Sequence, residues 1–154
     1  MRRNMWILWV AAFGWLAGSA LAQERSEVEL NRQMIQTQRQ TIVSDNLGLT
    51  DTEAAAFWPL YRKYRAEVAG VGDQLVNLLM EYSQSYTMLT DEQATRLLDS
   101  TLKCEQEYLK LKMKWVPKFR AILPPVKVTR FFQIENKIDI IVRSEAAEDI
   151  PLAK

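Results

Sequence analysis

Between Phe57 and Tyr82 the apolar and aromatic side chains recur at alternating steps of four and three residues. This spacing places them on one side of an α-helix and is typical of a coiled-coil-like seam. At a rise of about 1.5 Å per residue, some thirty helical residues from Asp51 span about 45 Å, longer than a compact domain of this size requires. The pattern therefore predicts a long helix in an elongated subunit. The members of the seam are Phe57, Tyr61, Tyr64, Val68, Val71, Leu75, Leu78 and Tyr82.

Three further segments are predicted to be helical, one before this seam and two after it. The first runs from about Ser26 to Leu47, the third from Thr90 to about Ile122, and the fourth from about Pro125 to Ala147. The first has an apolar residue at every seventh position, which predicts a helix lying along a partner. These positions are Val28, Ile35, Ile42 and Leu49.

The two helices that follow the long seam have broad apolar faces. The third carries one stripe of Leu97, Cys104, Tyr108, Leu111, Trp115 and Phe119, and beside it a second stripe of Leu98, Leu102, Leu109, Met113 and Val116. An apolar arc of that width predicts two packing neighbours. The fourth is led by Phe131, Ile134, Ile138 and Ile141, with Phe132 and Ile140 broadening the face.

Similar sequences stand at the predicted starts of three of the four helices, beginning at Leu49, Leu89 and Leu123. In the first two, a threonine is followed three residues later by Glu53 or Gln93, which predicts a capping box at each helix start. The third has Pro124 and Pro125, and proline is tolerated in the first helical turn because no hydrogen-bond donor is lost there. These starts define where the helices begin.

We predict an all-α protein, since no segment shows the alternating runs and glycine-containing turns of strands. Its four helices are expected to be long and bent. Pro59 and Pro117 lie inside the second and third helices and predict the bends, because a proline ring displaces the carbonyl one turn earlier.

The first 22 residues are typical of a secretory signal. Arg2 and Arg3 precede an apolar run from Met5 to Leu16, and small residues lead to a cleavage site after Ala22. A membrane anchor is the alternative, but the apolar run is shorter than the roughly 20 residues that span a bilayer. We therefore expect an exported protein whose single domain covers residues 23–154.

Cys104 is the only cysteine, so an exported chain of this kind has no internal disulfide. Packing, or a partner subunit, must then hold the fold together. Cys104 lies on the apolar stripe of the third helix, where a buried and inert thiol is expected. A disulfide between two chains stays open as the alternative.

The chain has no histidine and no glycine-rich phosphate loop, nucleophile elbow or dinucleotide fingerprint. This removes the commonest general base and the commonest transition-metal ligand. Acidic pairs such as Glu105 and Glu107 match no calcium-loop spacing. We therefore expect neither an enzyme nor a cofactor or metal site.

Charge is balanced overall, with 20 basic and 19 acidic residues, which argues against a nucleic-acid binder. It is distributed unevenly, because residues 103–137 hold nine basic and only three acidic side chains. In this stretch lysines alternate with apolar residues, which places a cationic stripe beside an apolar one on a helix. The lysines are then either a solvated rim around a buried stripe or part of an amphiphilic face that binds polypeptide.

If the face binds polypeptide, the aromatic pair near the start of the second helix and its neighbouring cations could extend it, since aromatic residues anchor both cores and interfaces. The candidate residues for client or partner binding are Phe57, Trp58, Arg62, Arg65, Lys112, Lys114, Trp115, Lys118, Phe119 and Arg120.

The chain resembles the Spy/CpxP group of bacterial periplasmic stress proteins, whose mark is a Leu-Thr-x-x-Gln motif at helix starts. Leu89 to Gln93 matches this motif fully, and Leu49 to Glu53 matches it with glutamate in place of glutamine. Leu123 to Lys127 departs more, with proline for threonine and lysine for glutamine. The similarity extends by pattern from Leu49 to about Arg143.

The resemblance implies a periplasmic protein with long bent helices in a cradle-like subunit that forms a homodimer. Some members of that group are ATP-independent chaperones that hold unfolded clients on a concave, partly cationic surface, and others restrain an envelope-stress sensor kinase. Metal-responsive relatives use histidine-rich segments, which this chain does not have. The motif residues themselves are expected to act as helix caps.

Three functional hypotheses follow. The first is a chaperone-like holdase that binds unfolded or stress-damaged envelope proteins on its apolar and basic helical face. The second is a signalling adaptor that binds a membrane sensor kinase, and the third is a structural helix bundle without clients.

Overall fold

The computed structural model describes residues 34, 37–148 and 150–153. Residues 37–47 are helical and are called α1 here; they are followed by α2 (Asp51–Ser85), α3 (Asp91–Arg120) and α4 (Pro125–Glu148). No strand is present in the described ranges. The all-α prediction with four helices is confirmed.

The chain divides into two compact units, Met1–Ile42 and Val43–Lys154. Of the first unit, the described residues are Met34 and 37–42, and all are helical. The proposed signal segment, the start of the first helix, Val28 and Ile35 lie outside the described residues. The second unit holds the last part of α1 and the whole of α2, α3 and α4.

Both predicted capping boxes are present. At the start of α2, the Thr50 N–H donates to Glu53 Oε2 at 2.8 Å and the Glu53 N–H donates to Thr50 Oγ1 at 3.3 Å. Thr90 and Gln93 form the same reciprocal pair at the start of α3, at 3.0 and 3.2 Å. These contacts satisfy backbone donors that a helix end otherwise leaves open.

Proline begins α4 and is accommodated inside the two longer helices. Pro125 is the first residue of α4, and the Val128 N–H donates to the Pro124 carbonyl at 3.1 Å. Helix α2 continues through Pro59 and α3 continues through Pro117. A proline therefore removes one donor from each of these helices without ending it.

The core of the second unit lies where α2 begins, α3 ends and α4 begins. Eight aromatic rings meet there, with neighbouring ring centroids 4.7–6.3 Å apart. Many of these pairs are edge-to-face, the arrangement that aromatic quadrupoles favour. The rings belong to Phe57, Trp58, Tyr61, Tyr64, Trp115, Phe119, Phe131 and Phe132.

Packing becomes thinner toward the other end of the helices. The α2 seam is buried only from Phe57 to Val68, whereas Val71, Leu75, Leu78 and Tyr82 are half-buried. The predicted α1 face is shifted, because Val43 and Leu47 are buried while Ile42 is exposed. The prediction that Ile141 joins the core face of α4 is wrong, since this side chain is exposed.

The tail after α4 returns to the end of α2. The Tyr82 hydroxyl donates to the Pro151 carbonyl at 2.7 Å, while Leu152 remains exposed. No helix in the described part of the chain is long and apolar enough to cross a membrane.

Candidate functional site

Helix α3 carries an apolar stripe that the described residues leave open to solvent. Leu98, Leu102, Leu109 and Met113 expose 61%, 54%, 59% and 66% of their surface. At about 100° per residue, these four positions fall within an arc of about 60° on one side of the helix. Scattered exposed leucines are ordinary, but four apolar side chains within one arc of a helix form an apolar stripe.

Cationic side chains flank this stripe. Lys103, Lys110 and Lys114 are exposed and follow it on one side of α3. Lys110 Nζ donates to Gln106 Oε1 at 3.0 Å, and Lys114 Nζ pairs with Glu67 of α2 at 2.8 Å. The stripe and these lysines together form what we call the α3 face, defined by Leu98, Leu102, Lys103, Leu109, Lys110, Met113 and Lys114.

The α3 face leads into a shallow groove between α3 and α4. Lys112, Val116 and Arg120 form one wall, and Phe132 and Gln133 lie on the other. Arg120 is exposed and has no ion-pair partner among the described residues. The groove therefore adds one available cation and a half-buried aromatic ring to the face.

Three of the candidates from the sequence lie in the core. Phe57 and Phe119 have no exposed surface, and Trp115 is buried between Tyr64 and Phe119. The Trp115 indole N–H donates to Glu67 Oε2 at 2.9 Å. A buried ring does not touch a partner at the surface in this conformation, so these residues support the face from beneath.

The candidates on α2 lie apart from the lysine-rich stretch. Trp58 is half-buried and packs edge-on against Phe57 and Tyr61. Arg62 is exposed, and Arg65 is directed inward to Glu135 of α4, with 3.0 Å between Nη1 and Oε2. Among the described residues, neither Trp58 nor Arg62 makes a ring or polar contact with α3.

Besides Lys114, the other two candidate lysines also have structural partners. Lys118 lies over the Trp115 ring at 3.9 Å from its centroid, a cation–π contact. Lys112 lies 4.3 Å from the Tyr108 ring centroid and 3.7 Å from Asp139 of α4. The charge of Lys112 is thus partly used in holding α3 to α4, and that of Lys118 in a contact within α3.

Glu67 is the point where the lysine stretch is attached to α2. The hydrogen bond from Lys114, followed by the one from Trp115, holds the pKa of Glu67 below its usual range. The carboxylate therefore stays ionised at neutral pH and fixes both the Lys114 side chain and the Trp115 ring. Charge reversal at Lys114 would place two carboxylates side by side.

A half-buried polar contact joins α3 to α4 behind the face. The Tyr108 hydroxyl donates to Asp139, and burial followed by this hydrogen bond raises the pKa of Tyr108. Burial likewise raises the pKa of Tyr64, whose hydroxyl makes no hydrogen bond among the described residues. Both phenols therefore remain protonated at any physiological pH.

Sequence reasoning missed Leu98 and Leu102 as site residues and assigned them to a second packing face. That second face exists, but no described helix covers it. The spacing of residues 98, 102, 109 and 113 was the sequence signal that could have identified this stripe. Nothing in the spacing of Glu67, Glu135 or Asp139 indicates their partners, because each contact joins different helices.

Cys104 is buried, and its thiol donates to Gln74 Oε1 at 3.8 Å. In the part of the chain that the structure describes, no group of three or more His, Cys, Asp or Glu residues is arranged to hold a metal ion.

Comparison with protein-family models, with curated proteins and with solved structures gives no match. The resemblance to periplasmic stress proteins therefore rests on the motifs at the helix starts.

Proposed function

We propose that the chain is an ATP-independent, chaperone-like holdase that binds unfolded or stress-damaged envelope proteins on the α3 face. The observation that carries this proposal is the stripe of four exposed apolar side chains beside exposed lysines. Unfolded polypeptide exposes apolar side chains, and burying them against this stripe removes both surfaces from water. No covalent step or cofactor is needed.

The lysines give the face a second property. Exposed cations attract acidic segments of a client before apolar contact forms, so they raise the association rate more than the final affinity. Such attraction between exposed charges weakens with salt, because the screening length is about 8 Å at physiological ionic strength. Client capture is therefore expected to be salt-sensitive.

The periplasm is the proposed location, on the basis of the signal-like N-terminal sequence and the helix-start motifs. A homodimer is proposed on the same resemblance, with an interface that leaves the α3 face open to clients. A signalling adaptor, which would use the same face for one membrane partner, is distinguished by the number of proteins that the chain protects.

Light scattering of a chemically unfolded protein during refolding tests the cationic part of the proposal. The test variant reverses three cations of the face and groove, Lys103→Glu, Lys110→Glu and Arg120→Glu, none of which has an ion-pair partner among the described residues. The control variant reverses three exposed cations elsewhere, Lys63→Glu, Arg130→Glu and Lys137→Glu.

Both variants change the net charge equally, so only the location of the charge differs. The proposal expects stoichiometric suppression of aggregation by the parent and the control, and weaker suppression by the test variant at low salt. Equal suppression of aggregation by all three proteins would show that these cations do not take part in client binding. Failure of the parent with several unrelated clients would overturn the holdase proposal in favour of a single-partner adaptor.

A further inference from the structure

A separate apolar cleft of about 240 Å³ lies between α2, α3 and α4, toward the thinly packed end of the second unit. Its α2 wall consists of aliphatic residues and one glycine, and its polar residues are confined to α3 and α4. The apolar lining consists of Val68, Val71, Gly72, Leu75, Val76, Leu79, Cys104 and Val142. Glu105, Tyr108, Asp139 and Arg143 complete it.

The cleft lies where the α2 seam continues and the described parts of α3 and α4 do not fill the space beside it. Val71 and Leu75 have the spacing of core residues, yet they are only half-buried. Gly72 has no side chain to contribute, and a Cβ built on it would meet no atom within 4 Å. Dry apolar cavities of about 150 Å³ bind compounds the size of benzene, so this cleft has room for a longer hydrocarbon.

The polar end of the cleft has an uneven distribution of charge. The Tyr108 ring lies beneath two cations, with Lys112 Nζ 4.3 Å and Arg143 Cζ 5.5 Å from its centroid. Asp139 accepts the Tyr108 hydroxyl hydrogen bond and lies 3.7 Å from Lys112. Arg143 has no carboxylate at ion-pair distance among the described residues.

Glu105 is the remaining charge in the lining, and it is exposed. Asp139 balances Lys112, which leaves Arg143 as the cation available to a ligand. Arginine binds carboxylates through two parallel hydrogen bonds, and its position over an aromatic ring restricts its motion. The cleft therefore combines a hydrocarbon-lined space with one cationic group at its polar end.

We propose that this cleft binds a single-chain amphiphile with an anionic head, of the medium-chain fatty acid class. The hydrocarbon tail would lie against the aliphatic wall of α2, and the carboxylate would pair with Arg143. The inference is independent of the holdase proposal, because it uses a cleft and residues that the α3 face does not share.

Isothermal titration calorimetry of the full chain with decanoate, below the concentration at which decanoate forms micelles, tests the site. The blocking variant is Gly72→Leu, whose side chain would fill the cleft. The matched control is Gly70→Leu, on the same helix, where a Cβ also meets no atom within 4 Å but the residue does not line the cleft. Both substitutions raise helix propensity by a similar amount.

We expect decanoate to bind the parent and Gly70→Leu equally and to bind Gly72→Leu at least about ten times more weakly, because the leucine occupies the volume of the tail. Absence of binding to the parent at millimolar decanoate, or equal binding to both leucine variants, would overturn the proposal.

The head group is tested separately with decanol as the uncharged probe. Arg143 is exposed, so Arg143→Gln is expected to fold normally, to weaken decanoate binding several-fold and to leave decanol binding unchanged. Glu105→Gln is expected to strengthen decanoate binding, since it removes the one carboxylate of the lining that Lys112 does not balance. Equal effects of Arg143→Gln on decanoate and decanol would overturn the assignment of the anionic head.

Discussion

At the scale of single residues, the two charged residues that replace the glutamine of the helix-start motif are paired with each other. Lys127 of α4 donates to Glu53 of α2 at 2.5 Å and to the Gly48 carbonyl at 2.8 Å. Gly48 adopts a positive φ of 61°, which glycine tolerates best, in the turn between α1 and α2. Lysine and glutamate, where the motif has glutamine, thus connect the starts of two helices.

A double-mutant cycle tests this pairing. Lys127→Gln and Glu53→Gln are each expected to lower the melting temperature, because either change removes the charge pair. The double variant is expected to lose less than the sum of the two, since either single change already breaks the pair. A glutamine introduced at position 53 would retain the capping box as Gln93 does in α3, so the cap does not contribute to the difference. Strictly additive losses in thermal unfolding would show that the two side chains do not interact.

The buried Tyr64 and the half-buried Tyr108 predict opposite responses to loss of the hydroxyl. Tyr64→Phe keeps the ring contacts and removes a buried hydroxyl without a hydrogen bond among the described residues, so it is expected to be neutral or to stabilise by up to about 1 kcal/mol. Tyr108→Phe removes the donor to Asp139 and is expected to destabilise by about 1–2 kcal/mol. Denaturant unfolding measures both, and a loss of stability in Tyr64→Phe would contradict this account.

Three glutamates predict how stability depends on pH. Hydrogen bonds from Lys127, Lys114 and Arg96 lower the pKa values of Glu53, Glu67 and Glu81 respectively. A carboxylate with a lowered pKa in the folded state stabilises the fold above its unfolded pKa, and this contribution is lost as pH falls through the lowered value.

We therefore expect the unfolding free energy to fall as pH is lowered below about 4.3, the ordinary pKa of glutamate. Glu67→Gln should be less stable than the parent at neutral pH and should lose less on acidification. The measurement is thermal unfolding at a series of pH values. A constant difference between the two proteins across that series would exclude Glu67 as a source of the pH dependence.

At the scale of the helices, the two ends of the second unit differ in packing. Phe119 lies among the buried rings, and its replacement by alanine is expected to cost about 3–5 kcal/mol. Leu78 is half-buried at the other end, so Leu78→Ala is expected to cost clearly less. Denaturant unfolding of both variants tests this, and equal losses would contradict an uneven core.

Hydrogen exchange tests the same difference without substitution. Amides of α2 near Tyr61 and Tyr64 are expected to exchange more slowly than those from 71 to 82, because local stability follows the density of buried contacts. Uniform protection along α2 would show that the cleft does not weaken this end of the helix.

The helices themselves could be predicted from the sequence because their signals are local. The apolar spacing and the capping residues Thr50 and Thr90 fixed the starts of α2 and α3. Which part of an apolar face is covered depends on other helices, so periodicity did not show that Leu98 and Ile141 are exposed. The partners of Glu67 likewise lie on another helix, and local spacing carries no information about contacts between helices.

At the scale of the whole molecule, the candidate binding residues fall into three groups. Phe57, Trp115 and Phe119 build the core, whereas Arg65, Lys112 and Lys114 hold the helices together through ion pairs. The third group consists of Trp58, which is half-buried, and the exposed Arg62, Lys118 and Arg120. The apolar stripe of α3, which lies outside the candidate set, is open to solvent. In a holdase with this structure, the residues that stabilise the fold would differ from the residues that bind clients.

The most direct test of the central claim replaces the apolar stripe itself. Leu102→Ser with Leu109→Ser removes two side chains that are 54% and 59% exposed. The control, Val126→Ser with Ile140→Ser, removes two apolar side chains of α4 that are 80% and 58% exposed. Circular dichroism is expected to show equal helix content in the two variants.

Light scattering of a refolding client then decides the role of the stripe. The account predicts that the control suppresses aggregation as the parent does, whereas the Leu102 and Leu109 variant loses most of that suppression. Full suppression by both variants would contradict a client site on the α3 face.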